Sequence, residues 1–428
     1  MSRKREQLQW VRLDTSATIY PAASRKNWSN VFRESITLCE DVHVDVLREA
    51  LDVTVKRFPS ICTRLRRGLF WYYLQQLEEA PDVMRESSYP LVYMSREEIR
   101  QCAFRVIVYH NRIAVEFFHA VTDGTGGMIF LKTLVAEYLE RRYGVKIPCE
   151  HGVLARDAAP TEAELENSFH KYSGPVAASR KATNAFRIDE ELQTDGFLHL
   201  TCFRLPVAET LALSHRYNAT VTVFLCAAMM KALLAMQAEK VPDLRRRRPI
   251  KVNLPVNLRS VFPSETLRNF VSLTTPELDA RLGDYEFEEI CEIIKHRMGL
   301  DITPKYMSGM IAANVNVEKN PIVRIMPRQL KDIVMRIGFD AYGERKACLT
   351  MSNLGAVKMP EEMKRFVQRV DFLLGSQSNA PYNCAVVSFG DTLYLNFIRD
   401  IESPELERRF YEVLRDLGLP VTVESNRN

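Results

Sequence analysis

Residues 115–134 read VEFFHAVTDGTGGMIFLKTL. A β-rich apolar run ends on His119, and within four residues Asp123 and then Gly124, Gly126 and Gly127 follow. Helical spacing takes over at Phe130, Leu131, Leu134, Val135, Tyr138 and Leu139 and is closed by Gly144. The segment therefore reads as strand, sharp turn and helix, with glycines supplying the conformational freedom that the turn demands. A histidine in that elbow has two readings, an ordinary satisfied side chain or a general base. Neutral imidazole, with an unperturbed pKa near 6.5, accepts a proton from a hydroxyl or amine, and small residues beside it leave room for a substrate. Asp123 has two open placements, against the imidazole or folded away onto an arginine. The tripeptide T-D-G alone carries little, since it recurs at 194–196 with Glu191 standing where the histidine would be.

The flanking sequence fits an elbow. AFRVIVYH (103–110) and IAVEFFHA (113–120) read as a hairpin around Asn111 and Arg112, whose second strand delivers His119. Upstream, Val44, Leu47, Leu51, Val55 and Phe58 predict an amphipathic helix over 44–58 ended by Pro59, and LFWYYL (69–74) predicts a buried strand. The chain turns polar and aperiodic from 150 to about 195. Beyond it, FLHLTCFRL (197–205) starts a second set of strands, joined by IKVNLPVNLRS, CLTMSNLG, RVDFLL, CAVVSF and LYLNFIRD. Between them TVTVFLCAAMMKALLAMQ predicts a helix capped by Thr220 or Thr222, and the terminal helix takes Ser403 as N-cap, Pro404 at its first position and Gly418 beyond its end. Mixed helix and strand in both halves make the class α/β or α+β.

With 428 residues, 46% hydrophobic and 26% charged, the chain suits a soluble protein of two lobes of about 200 residues. A net charge of +4 gives no basic stripe for a nucleic-acid partner. The one basic block, Arg245, Arg246, Arg247 and Arg248, reads as a solvated loop or as a phosphate contact. Nine cysteines without C-x-x-C spacing point to thiols in a reducing compartment, and eight histidines without ligand spacing predict no metal site. The N-terminus lacks the apolar core of a signal peptide, and the longest apolar run, VFLCAAMM, stops at Lys231. These features predict a cytoplasmic protein with no transmembrane segment, so that the N-A-T sequon at Asn218 stays unmodified.

EFFHAVTDGTGG is similar to the H-x-x-x-D-G motif of the coenzyme A-dependent acyltransferase superfamily, whose fold is that of chloramphenicol acetyltransferase. LPVNLRSVFPSETLRNF (254–270) resembles its second signature, an arginine-bearing strand followed by Asn-Phe, and LTMSNLG (349–355) resembles the S-N-x-G strand of its alcohol acetyltransferase branch. TIYPAASRKNWSNVFRESITL and RFPSICTRLRRGLFWYYL also fit that branch, so the likeness runs over nearly the whole chain. Phe118 replaces the first of the two adjacent histidines of condensation domains, and the D-F-G-W-G motif of plant enzymes is absent, with VDFLLG near its place.

The resemblance implies two lobes, each a mixed sheet flanked by helices, with an active-site tunnel between them: residues 1–172, a crossover over 173–195, and 196–428. It implies transfer of an acetyl or other short acyl group from acyl-coenzyme A, a co-substrate and not a resident cofactor, to a hydroxyl or amine of a small-molecule acceptor. His119 would be the general base and Ser352 the oxyanion donor, with Asn353 as its competitor. Asp123 would pair with Arg259 to fix the elbow, Gly124 would be the turn glycine, and Arg247 and Arg248 would greet the coenzyme A phosphates. Two other readings stand beside this one: condensation-type transfer from the thioester of an acyl carrier protein, and a non-catalytic homologue.

Overall fold

The computed structural model describes residues 10–23, 30–178, 183–188, 190, 193, 197–342, 347–376 and 381–426, and within them the chain forms three sheets. The elbow histidine follows the middle strand of a five-stranded sheet, ordered Val367–Leu374, Val31–Leu38, Arg112–Phe118, Phe104–Tyr109, Val83–Arg85. All its pairs are antiparallel except the last, and the predicted hairpin closes at His110 (φ 50°) and Asn111. Arg112–Phe118 shows no alternation of exposure because both of its faces are covered. On one face Phe32 and Phe117 meet helix Gly124–Tyr143, where Phe117 packs edge-on against Phe130, and helix Val44–Arg57 packs alongside. On the other face the buried Arg33 and Glu116 form an ion-pair network with the partly buried Glu86 and Arg105, with Arg33 Nη1 2.6 Å from Glu86 and 3.0 Å from Glu116.

The aromatic run at 69–74 differs from expectation. Strand Tyr72–Gln76 begins three residues late and pairs with Thr63–Arg67 and Trp10–Arg12 in a small sheet. Gly68 N–H donates to the Trp71 carbonyl at 2.8 Å, so residues 68–71 are a hairpin turn that holds Leu69 and Phe70 in solvent.

The C-terminal half builds a mixed eight-stranded sheet. Its path runs Val271–Thr274, Ile250–Asn257, Leu349–Ala356, Tyr382–Phe389, Thr392–Arg399, His199–Pro206, Thr422–Ser425, with Glu277–Leu278 also on Ile250–Asn257. Leu349–Ala356 is parallel to both of its neighbours. Helix Val221–Lys240 has the length and apolarity of a bilayer-spanning segment, yet it is a core helix packed on Phe287–Asp301 and Glu405–Asp416. Thr220 is its N-cap, accepting from Val223 N–H at 3.3 Å. The terminal helix starts at Glu405, one residue later than expected, with Pro404 at the cap position. Four helices between 287 and 342 had no counterpart in the sequence reading: Phe287–Asp301, Pro304–Lys319, Pro321–Ile325 and Arg328–Tyr342.

One strand leaves chain order. Val367–Leu374, from the C-terminal half, pairs with Val31–Leu38 and joins the sheet that carries His119. Of the crossover segment, Ala185, Phe186 and Ile188 enter the core of the C-terminal half, whereas Glu191 and the T-D-G at 194–196 lie outside the described residues.

Candidate active site

The backbone fixes His119 first. Its N–H donates to the Asn30 carbonyl at 2.8 Å, and its carbonyl accepts from Asn269 Nδ2 at 2.7 Å. Because Nδ2 is engaged there, the oxygen of the same amide faces the imidazole, with Asn269 Oδ1 3.0 Å from His119 Nδ1. An amide oxygen only accepts, so Nδ1 carries the proton and Nε2 keeps its lone pair. Tyr20 stacks on the ring (centroids 4.7 Å apart, planes 17° apart) and Phe32 flanks it at 5.0 Å. Burial pushes the His119 pKa below 6.5, opposed by the nearby carbonyls, the Asp123 charge and the Asn269 bond. The ring is therefore neutral at neutral pH, a base with a defined acceptor nitrogen.

Asp123 takes the second of its two placements. It is the N-cap of Gly124–Tyr143, with Oδ1 accepting from Thr125 and Gly126 N–H at 3.1 Å each. Oδ2 accepts from Arg259 Nη1 and from Phe270 N–H, both at 2.8 Å. Arg259 is fully engaged as well, donating to the carbonyls of Thr266 at 2.9 Å and Arg268 at 2.6 Å. Asp123 thus draws the loop carrying Asn269 onto the elbow and orients the imidazole through that amide. Arg268 Nη2 reaches the buried Asp14 carboxylate at 2.9 Å and anchors the same loop from its far side.

The glycine expectation needs correction. Gly124 does not adopt positive φ; it opens the helix, and a Cβ there would meet Leu354 Cδ1 at 3.3 Å, Phe372 at 3.5 Å and Glu34 at 3.6 Å. The strict demand falls on Gly126, where a Cβ would lie 2.3 Å from the Leu267 carbonyl oxygen and 2.2 Å from Thr122 Oγ1. Thr122 Oγ1 donates to that same carbonyl at 2.7 Å, so close approach, not a turn, is what excludes a side chain.

The S-N strand reaches the same place. Leu354, two residues after Ser352, is the neighbour that a Gly124 Cβ would touch. Asn353 is occupied, its Nδ2 donating to Thr222 Oγ1 at 2.9 Å and its Oδ1 accepting from Gly355 N–H at 2.8 Å. The half-buried Ser352 hydroxyl has no hydrogen-bond partner among the described residues. Arg247 Nε donates to the Val241 carbonyl at 3.0 Å, beyond the end of Val221–Lys240, and Arg245, Arg246 and Arg248 are exposed.

Three positions were missed as site residues. Asn269 stood inside the quoted second signature, and Tyr20 and Glu34 inside the quoted N-terminal segment, Glu34 on its strand Val31–Leu38. Glu34 is fully buried, and neither of its oxygens has a hydrogen-bond partner among the described residues. The available signal was strand alternation, which sets a carboxylate on the same face as Phe32 and Ile36. Burial, reinforced by the Asp123 charge, pushes its pKa well above 4.5, and Lys132 opposes this only in part.

No family model matches the chain, and no curated protein sequence matches it. Solved structures do match in fold. The trichothecene 15-O-acetyltransferase of Fusarium sporotrichioides aligns with a TM-score of 0.61 at 12% identity, over 96% of this chain and 95% of that one. TRI101 of the same fungus, complexed with coenzyme A and T-2, aligns with a TM-score of 0.60 at 10% identity, over 97% and 99%. The epimerization domain from the third module of tyrocidine synthetase B aligns with a TM-score of 0.61 at 12% identity, over 97% and 98%. The chain thus has the two-lobed mixed α/β fold that acyltransferases share with condensation-type domains.

Proposed function

We propose that the protein is an acyltransferase that moves an acetyl or other short acyl group from acyl-coenzyme A to a hydroxyl or amine, with His119 as general base. The observation that carries this reading is the His119–Asn269 pairing, which leaves a neutral imidazole with its lone pair on Nε2. Nε2 takes the acceptor's proton as its oxygen or nitrogen bonds to the thioester carbon. The Ser352 hydroxyl donates to the resulting oxyanion, a contribution typically of about 10²–10³ in rate. The tetrahedral intermediate then expels the thiolate, which recovers the proton from the imidazolium, so no acyl-enzyme is needed. Asp123 and Arg259 hold the geometry without touching substrate. One neighbour in fold is an acetyltransferase and another has coenzyme A bound, and this supports the donor assigned here.

The test is release of free thiol from a panel of acyl-coenzyme A donors in the presence of mixed alcohols and amines. Wild type should release thiol only when an acceptor is present. His119→Ala should lose about 10²–10⁴-fold in rate while keeping its circular dichroism spectrum. Turnover near wild type in folded His119→Ala would overturn the mechanism, and silence across all donors would overturn the coenzyme A assignment.

A further inference from the structure

Helix Arg328–Tyr342 is packed with its amphipathicity reversed. A surface helix ordinarily turns its apolar stripe inward. Here the inward positions, one helical face at i, i+3, i+4 and i+7, are Arg328, Lys331, Asp332 and Met335, and Lys331 is only 4% exposed. Lys331 Nζ lies over the Trp71 ring at 3.2 Å and donates to the Phe70 carbonyl at 2.9 Å. Asp332 accepts from the Tyr72 hydroxyl at 2.8 Å, and Arg328 N–H bonds the Leu69 carbonyl at 3.1 Å. The opposite stripe, with the same spacing, is Leu330, Ile333, Val334 and Ile337, and it stands in solvent at 51%, 57%, 50% and 63% exposure. Ile322 and Ile325 on the preceding short helix (69% and 73%) and Leu69 on the attached turn (73%) extend the same apolar character.

The charges around this stripe share one sign. Between 317 and 337 the exposed charged side chains are Lys319, Arg324 and Arg336. The two acids of that span are turned to internal partners, Glu318 to Thr15 Oγ1 at 2.7 Å and Asp332 to Tyr72. An apolar stripe with a purely basic border matches an anionic lipid surface, where aliphatic side chains enter the acyl boundary and the cations meet headgroups. A second copy of the chain fits less well, because a face-to-face pairing would oppose Lys319, Arg324 and Arg336 to themselves. The face is also tied to the candidate site: Arg336 donates to the Ala22 carbonyl at 3.3 Å, two residues from the Tyr20 that stacks on His119.

We propose that residues 317–337, with the turn at Leu69 and Phe70, dock the protein peripherally on an anionic bilayer surface. The proposal does not rest on the acyltransferase reading. It is tested by co-sedimentation of the full chain with phosphatidylcholine vesicles and with vesicles that also contain phosphatidylglycerol. Binding should appear with the anionic vesicles and fall as salt is raised. Ile333→Asp/Ile337→Asp should weaken it by about tenfold or more at an unchanged melting temperature, since both side chains already lie in water. Lys319→Glu/Arg324→Glu, which leaves the apolar stripe intact, should weaken it by about tenfold as well. Failure of wild type to bind anionic vesicles would overturn the proposal. So would binding that survives both double variants, or light scattering that shows a dimer which Ile333→Asp/Ile337→Asp converts to monomer.

Discussion

Asn269 does for His119 what a carboxylate does in a Ser-His-Asp triad, but without charge: it fixes the tautomer and leaves the pKa low. Replacing it by aspartate keeps the Nδ1 contact while adding an anion, which favours imidazolium. As the proposed general base His119 works only when deprotonated, so activity should be lost as pH falls through its pKa. Wild type, with that pKa below 6.5, should hold its kcat/KM into mildly acidic solution. In Asn269→Asp the acid limb should move to higher pH, and an unmoved limb would mean that Asn269 does not govern the ring. Glu34 answers to a different balance. Its folded pKa is raised above the ordinary 4.5, so the folded state binds the extra proton and stability declines as pH rises from 4.5 through the folded value. Lys132, whose pKa burial lowers to about 8, keeps its proton below that point and does not confuse the window. Glu34→Gln should therefore flatten the fall of melting temperature between pH 5 and 7, and an equal slope in both proteins would show that Glu34 finds a partner. The sequence made His119 legible because strand, histidine and glycines are contiguous. Asn269 was not, because its role depends on which loop the distant Asp123 and Arg259 pull onto the elbow.

The elbow itself depends on close approach between segments far apart in sequence. Gly126→Ala should be much more damaging than Gly124→Ala, because its Cβ would meet a backbone carbonyl that cannot step aside, whereas at Gly124 it meets the end of a leucine side chain. Melting temperatures of the two variants check this, and equal losses would mean that the Leu267 loop yields freely. The spacing of glycines in D-G-T-G-G was plain in the sequence, but which one was sterically required was not, since the obstacle is contributed from 267. Regular elements with one covered face were legible, as with Val44–Arg57 and the hairpin that delivers His119. Helix Arg328–Tyr342 was not, because the usual inference from amphipathic pattern to packing runs backwards there: its polar side chains bind the 63–76 hairpin and its aliphatic ones face out.

Two lobes built from successive halves of a chain commonly unfold separately, and then no single stability describes them. Here the halves are interlocked in three ways. Strand Val367–Leu374 supplies a partner to Val31–Leu38, Arg259 and Phe270 N–H satisfy the Asp123 carboxylate, and Arg268 meets Asp14. None of these groups can part cheaply. Splitting the Asp123–Arg259 pair leaves a buried charge uncompensated, typically at about 3–5 kcal/mol. Freeing Val31–Leu38 exposes the unpaired backbone edge of a largely buried strand to water and to other chains. Near-ultraviolet and far-ultraviolet melting curves of the whole protein should therefore coincide in one transition. A fragment of residues 1–172, lacking the donated strand and the loop at 257–270, should fail to fold cooperatively although it contains the complete H-x-x-x-D-G motif. Co-expression with residues 173–428 should restore it, since that piece carries both missing parts. If the 1–172 fragment instead melts cooperatively on its own, the donated strand is an accessory to a self-sufficient lobe, and the elbow is held by that lobe without Arg259.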